Sequence, residues 1–169
     1  MDGPNATLDG IPLTRTVPHK GATAVVISYD AIVRAVGRPA RSGYGHNLLL
    51  ACWDSIGLTV LCDGDRPRDG ELLNFALTLR SGYHTRPMDP KGQFTGSLRV
   101  DGIEITSATR LADIVPALVE KGFKPCQGTS CYRRESDHYG LTVAAEKDGL
   151  VFLLIFDVKD LVGVPKPRR

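Results

Sequence analysis

Histidine, the commonest general base of enzymes, occurs four times in the chain. None of these histidines has a cysteine, serine or acid at the spacing of a known catalytic motif. A nucleophile paired in space with His46 or His84 stays an alternative, but the sequence selects no residue for that role. We therefore predict no catalytic residue and a non-enzymatic protein. The histidines are His19, His46, His84 and His138.

The spacing of cysteines and glycines predicts no metal and no cofactor. Cys126 and Cys131 are too far apart for the Cys-x-x-Cys pair of a zinc site, and no second ligand pair follows. A disulfide between them is possible if their Cα atoms lie within about 7 Å, but we expect free thiols in a reducing cytosol. Cys52 and Cys62 lie in apolar runs and are expected to be buried. The glycines form neither familiar nucleotide-binding loop.

Tyrosine and arginine, the residue types that dominate binding hot spots, concentrate in a few short segments. One is the loop that follows residue 80, another is a predicted strand around residue 133, and a third is the loop at residues 44–46. We expect these side chains to be exposed and to contact a protein partner. The candidate partner-binding residues are Tyr44, His46, Arg80, Tyr83, His84, Arg86, Tyr132, Arg133 and Arg134.

Composition indicates one globular domain. The chain has 169 residues, enough to bury a substantial core. Its 21 basic and 19 acidic residues give a formal charge of +2, which favours neither nucleic acid nor a membrane surface as a partner. No apolar run approaches the length of a membrane span, and no signal-peptide pattern opens the chain. We expect a soluble cytoplasmic protein.

Three sequence echoes occur in the same order in both halves of the chain and predict an internal repeat. Residues 8–14 match 100–106, residues 37–39 match 122–125, and residues 57–60 match 140–143. Each unit reads β(β)αβββ, so we expect an α+β domain of mostly antiparallel sheet with two helices. The predicted boundaries are 1–80 for the first unit, 81–93 for a linker loop, 94–161 for the second unit and 162–169 for a flexible tail.

The elements that must position the candidate residues follow from periodicity and turn signals. In the first unit we predict a strand over 24–27, a helix capped by Ser28 and ended by Gly37, and strands over 47–53, 57–62 and 71–80. In the second unit we predict a hairpin turning at Asp101-Gly102, a helix capped by Ser107 and ended by Gly122, and strands over 130–134, 139–146 and 150–158. Pro116 predicts a break or kink, or a helix that starts only near residue 114.

Trp53 at a strand end is interpreted as a core anchor, with Asp54 capping the turn that follows. The run Trp53-Asp54-Ser55-Ile56-Gly57-Leu58, preceded by Gly37-Arg38-Pro39 and followed by residues 94–102, resembles a family of small bacterial proteins encoded beside secreted toxins. Members of that family look like immunity or accessory proteins, including those of type VI secretion. The resemblance carries over no catalytic residue. It implies a non-catalytic protein that binds and occludes a cognate toxin. A small enzyme, or a ligand-binding protein with a site between the two units, is the alternative.

Overall fold

The computed structural model describes residues 5–19, 22–45, 48–63, 71–72, 74–80, 90–128, 130–136 and 139–158. These residues form the predicted α+β fold with mostly antiparallel sheets and two helices, α1 (Tyr29–Val36) and α2 (Leu111–Glu120). The strands of the first half are β1 (Ala6–Leu8), β2 (Ile11–Pro12), β3 (Thr14–His19), β4 (Ala22–Ser28), β5 (Arg41–Gly45), β6 (Leu48–Trp53), β7 (Leu58–Asp63), β8 (Glu71–Leu72) and β9 (Asn74–Thr78). Those of the second half are β10 (Leu98–Val100), β11 (Ile103–Ile105), β12 (Lys124–Pro125), β13 (Cys131–Glu135), β14 (Tyr139–Ala145) and β15 (Val151–Val158).

Two Asp-Gly hairpins pair with each other to form a four-stranded sheet in the order β11-β10-β1-β2. Asp9 and Asp101 have φ angles of 49° and 51°, and the glycines after them have φ angles of 79° and 84°. Positive φ at both turn positions is what a tight two-residue hairpin loop requires, and Asp-Gly supplies it at low cost. The turn predicted at Asp101-Gly102 is confirmed.

The central strands β9 and β15 join the two halves of the chain in an eight-stranded sheet of order β12-β13-β14-β15-β9-β7-β6-β5. Ala76 of β9 lies opposite Ile155 of β15 in the middle of that joint. The remaining strands form a three-stranded sheet in the order β3-β4-β8. Whether the halves are copies of one unit stays a prediction.

Helix α1 has the predicted ends. The hydroxyl of Ser28 accepts a hydrogen bond from the backbone N–H of Ala31 at 3.3 Å, which satisfies one of the unpaired amides of the first turn. Gly37, with φ of 79°, closes the helix by donating its N–H to the carbonyl of Val33. Ile32 is fully buried, so the helix presents its apolar side to the core.

Helix α2 differs from the prediction at its start. Its N-cap is Arg110, not Ser107, and the helix continues without a break across Pro116. The hydroxyl of Thr109 instead accepts from the N–H of Thr106 at 2.8 Å, which builds a turn before the helix. Because proline has no N–H, the helix loses one backbone hydrogen bond, the one to the carbonyl of residue 112 in its first turn. Tertiary packing of the helix outweighs that loss.

The other end of α2 is closed as the sequence predicts. Gly122, with φ of 83°, donates its N–H to Val119, and Phe123 donates to Leu118. This pattern is a Schellman motif, in which the residue after the glycine packs back on the last turn. Phe123 and Leu118 are 2% and 1% exposed, which fits that packing.

Several strands of the first half were not predicted, or were predicted with wrong bounds. Strands β3 and β5 were missed, and the strand expected over 71–80 is divided between β8 and β9, which lie in different sheets. Strand β5 has one strand-forming residue, Tyr44, and two glycines, which are depleted in strands. Its pairing with β6, from Arg41 opposite Cys52 to Gly45 opposite Leu48, holds it in the sheet.

The expectation of free thiols at Cys126 and Cys131 is wrong for this structure, because the two form a disulfide with Cα atoms 5.4 Å apart. The backbone N–H of Cys126 donates to the carbonyl of Cys131 at 2.9 Å, so the loop between them already brings the two ends together. Cys52 is fully buried, as predicted. The side chain of Cys62 lies outside the described residues.

A single hydrophobic cluster connects the sheets and helices. It includes the large side chains Trp53, Phe94 and Phe156, each no more than 3% exposed. Burial of this kind contributes roughly 25 cal/mol for each Å² of apolar surface removed from water. The core therefore holds residues from both halves of the chain in one body.

Candidate functional site

The nine candidate partner-binding residues do not form one described cluster. The structure describes the side chains of Arg80, Tyr132, Arg133 and Arg134. Tyr44 lies in β5, where its backbone is described and its side chain is not. The other candidates, His46, Tyr83, His84 and Arg86, lie outside the described residues.

Arg133 lies on the face of β13 turned away from the main core cluster and is held by three groups. Its Nε donates to Glu135 at 2.6 Å, and its Nη1 donates to Asp157 at 2.8 Å and to Thr142 at 2.9 Å. The hydrogen bond to Glu135, more than that to Asp157, raises the pKa of Arg133. Gly140 leaves room for this guanidinium, since a Cβ there would meet it. Arg133 thus ties three neighbouring strands together.

Arg134 is only 19% exposed, so the expectation that it is an exposed contact residue is wrong. Its Nη2 lies 2.6 Å from Asp101 Oδ2 in an ion pair and donates to the hydroxyl of Tyr139 at 2.8 Å. Its Nη1 donates to the carbonyl of Lys121 at 3.2 Å. The guanidinium also lies 5.1 Å from the ring centre of Phe123, a favourable cation–π distance. Arg134 therefore fastens the second hairpin turn and the end of α2 to the large sheet.

Arg80 connects the end of β9 to the loop before β15. Its Nη1 lies 3.0 Å from Asp148 Oδ2, and its side chain is 18% exposed. The backbone N–H of Leu150 is the main cause of the lowered pKa of Asp148, and Arg80 adds to it. Tyr132 is partly buried and packs against the core. The described candidates are thus used, at least in part, to hold the fold.

The residues that carry the resemblance form a second group of internal contacts. The indole of Trp53 is 2% exposed, and its Nε1 donates to the carbonyl of Gly37 at 2.7 Å. The interpretation of Trp53 as a core anchor is confirmed. Asp54 does not simply cap its turn: both of its oxygens accept from Arg41, at 2.7 and 2.8 Å, and the N–H of Lys91 donates to it at 3.3 Å. The hydrogen bond from Arg41 is the main cause of the lowered pKa of Asp54.

The segment before β10 packs directly on the turn after Trp53. Gly57 has a φ of 66°, and a Cβ at this position would collide with the carbonyl of Gln93. The N–H of Thr95 donates to Ile56 at 2.9 Å, and the N–H of Phe94 donates to Leu79 at 3.2 Å. The two parts of the resemblance, far apart in sequence, therefore meet in one close contact. We name this contact, of residues 53–57 with residues 91–95, the motif junction.

An open concavity of about 470 Å³ lies between the two Asp-Gly hairpins. Asn5, Thr7 and Asp9 line it from the first hairpin, and Ser97 and Arg99 line it from the second. Its charged groups are Asp9, whose Oδ1 accepts from the N–H of Ser97 at 2.7 Å, and Arg99. The alternative considered from the sequence, a ligand site between the two units, named no residue of this site. The matched Asp-Gly turns were the signal that could have found it, because two such hairpins in one domain can pair edge to edge.

Backbone bonds across this concavity are reciprocal. Asp9 N–H donates to the carbonyl of Ser97 and Asp101 N–H donates to the carbonyl of Asn5, both at 2.8 Å. The carboxylates repeat the pattern, since Asp101 Oδ1 accepts from the N–H of Asn5 at 3.0 Å. Each hairpin turn therefore grips the strand that enters the other hairpin.

Metal chemistry finds no support among the described residues, where no three His, Cys, Asp or Glu side chains lie close enough to hold an ion. In the same part of the chain, no helix is both long and apolar enough to cross a membrane. No protein-family model, curated protein or solved structure matches the chain.

Proposed function

We propose that this chain is a non-catalytic binding protein, an immunity protein that binds and neutralises a secreted bacterial toxin of the type VI or polymorphic kind. The observation that carries the proposal is the motif junction. Trp53, Asp54, Gly57 and Phe94 are all used to hold the scaffold. Proteins that share such a motif would share a rigid frame and differ in the surface they offer, which is what stoichiometric inhibitors of different toxins require.

Charge narrows the class of toxin. Immunity proteins against basic nucleases are often strongly acidic, because electrostatic complementarity speeds the encounter of the partners. This chain has a formal charge of +2. We therefore propose a toxin other than a basic nuclease.

The test is co-expression of the chain with the protein encoded by the neighbouring reading frame in its native genome. The proposal expects that protein alone to arrest growth, and expects growth to recover when the two are produced together. The purified pair should then elute as one complex. Rescue without a complex, or a neighbour that is harmless, contradicts the proposal. A variant at the exposed Arg99, such as Arg99→Met, serves as a control for non-specific charge effects.

A second candidate function is the binding of a small ligand, and the concavity between the hairpins favours it. Its volume of about 470 Å³ lies within the range of small-molecule sites. Its polar lining would suit a small ligand with both acidic and basic groups, since Asp9 and Arg99 present opposite charges. Thermal-shift screening with amino acids and small carboxylates tests it. A rise in melting temperature that Arg99→Met abolishes would favour this function over toxin binding.

We also propose that the two halves arose by duplication. Three observations support this: the reciprocal bonds of the hairpins, the position of each helix after its hairpin, and the antiparallel joint of β9 with β15 at the middle of the large sheet. Superposing β6, β7 and β9 on β13, β14 and β15 tests it. Failure of α1 to fall on α2 under that superposition would contradict the duplication.

The cytoplasmic location expected from the sequence stays a proposal, and the disulfide weighs against it. Disulfides persist mainly in oxidising compartments such as the periplasm. Fractionation of the native host, followed by detection of the protein in each fraction, decides between the two locations.

A further inference from the structure

We propose that β5, at one edge of the eight-stranded sheet, binds an extended, acidic segment of the partner protein as an added strand. This inference rests on the proposed binding function and names the surface and the chemistry that it would use. In the described part of the chain, β5 pairs with β6 alone. The peptide groups on its other side fit one class of ligand above all, which is another extended backbone.

The two edge strands of the eight-stranded sheet differ in how well their residues oppose the pairing of another strand. The opposite edge is β12, which has two residues, Lys124 and Pro125. A proline lacks the N–H that an added strand would need, and lysine on an edge opposes pairing. Strand β5 is five residues long and contains neither proline nor lysine. Natural sheets rarely leave such an edge without a covering group or a partner.

Strand β5 is also held in place at its start. Arg41 donates two hydrogen bonds to Asp54, and the N–H of Ala40 donates to the carbonyl of Cys52 at 2.8 Å. A strand that is fixed before binding loses less conformational entropy when a partner pairs with it. Ser42 and Gly43 are exposed, and a Cβ at Gly43 would meet no atom within 4 Å, so the face of the sheet is open here. A side chain of an added strand would therefore find room beside Gly43 on this face.

Charge indicates which segment would fit. No aspartate or glutamate occurs between Asp30 and Asp54 in the sequence. Within that stretch Arg34 and Arg38 are exposed and precede β5, while Arg41 is neutralised by Asp54. A partner strand with acidic residues at its ends would be attracted to this edge.

The experiment uses a fluorescent peptide of alternating threonine and valine, with glutamates at both ends, and the full chain. We expect saturable binding that weakens with added salt, and protection of the amides of residues 41–45 from hydrogen exchange. A matched peptide with lysines in place of the glutamates should bind at least about tenfold more weakly, since like charges repel. This measurement needs no natural partner, so its failure is separate from a failure of the toxin experiment.

Two proline variants locate the contact. Neighbouring residues of a strand direct their N–H groups to opposite edges, so Ser42→Pro and Gly43→Pro remove one outward N–H and one bond to β6. The variant that keeps wild-type stability should lose at least about tenfold in peptide affinity. If both variants unfold, the exchange data on the wild-type chain decide. No binding at millimolar peptide, protection confined to other residues, unchanged affinity in the stable variant, or a dimer of the chain joined through β5 would each overturn the proposal.

Discussion

Replacing Arg134 by methionine should destabilise the fold strongly, although the sequence alone marked this residue as an exposed contact. The substitution keeps much of the side-chain volume and removes the charge. Asp101, whose side chain is 13% exposed, would then lose its cation. Breaking a buried ion pair from one side costs about 3–5 kcal/mol, and the partial exposure of this pair reduces that figure. The hydrogen bond to Tyr139 adds roughly 1 kcal/mol.

We therefore expect Arg134→Met to lower the free energy of unfolding by about 2–4 kcal/mol. For a chain of this length that corresponds to a fall in melting temperature of roughly 5–15 °C. The assay is urea unfolding followed by the fluorescence of Trp53, the single tryptophan. Arg99→Met is the matched control, because Arg99 is 59% exposed and lies 3.4 Å from Glu104 in a surface pair. The control should change stability by no more than about 0.5 kcal/mol.

A double-mutant cycle with Asp101→Asn isolates the pair. Asparagine tolerates the positive φ of Asp101, so the turn should survive. A coupling energy near 1–3 kcal/mol would support the reasoning. If Arg134→Met is as stable as Arg99→Met, or if the coupling is zero, the structural role assigned to Arg134 is refuted.

Three further predictions concern the motif junction and the disulfide. Gly57→Ala should lower the free energy of unfolding in urea by more than about 2 kcal/mol, because it combines a positive φ with a backbone collision. Gly43→Ala, where a Cβ has open space, should change it by no more than about 0.5 kcal/mol. Equal losses in the two variants would contradict the packing described. Asp54→Asn should have a lower free energy of unfolding than wild type at neutral pH. This difference in stability should disappear as the pH falls below about 4. The reason is that a carboxyl with a lowered pKa stabilises the fold above its unfolded pKa and loses that effect when it is protonated in the folded state. A gap that is constant with pH would count against the Arg41–Asp54 pair. Before reduction, the tryptic peptide that contains Cys126 and Cys131 should be lighter by two hydrogen atoms than after it. Reduction should lower the free energy of unfolding by about 2 kcal/mol, the value for so short a loop. A peptide that already has its reduced mass would show that the bond is absent.

Local signals in the sequence predicted much of the fold. The Asp101-Gly102 turn, the Ser28 cap, the Gly37 and Gly122 helix ends and the core position of Trp53 each depend on near neighbours or on burial of a large side chain. Features that depend on distant residues were missed. Strand β5 exists because β6 lies beside it, and α2 passes Pro116 because the core holds its apolar side.

The candidate site was predicted less well, for a related reason. Arginine is enriched in interfaces, but the same guanidinium also forms internal ion pairs, and composition does not distinguish the two uses. Arg133 pairs with Asp157, which is 24 residues away, and Arg134 pairs with Asp101. Only the folded arrangement shows these pairs. The concavity between the hairpins needs the pairing of β1 with β10, two strands about 90 residues apart in the sequence.

The central claim is stoichiometric binding, and titration of the toxin's activity with the purified chain tests it most directly. A binding protein should abolish the activity at one chain for each toxin molecule, at once and without further change with time. Arg99→Met should give the same end point as wild type. Loss of toxin activity that proceeds with time at far fewer chains than toxin molecules would mean that the chain acts catalytically, and would contradict the account.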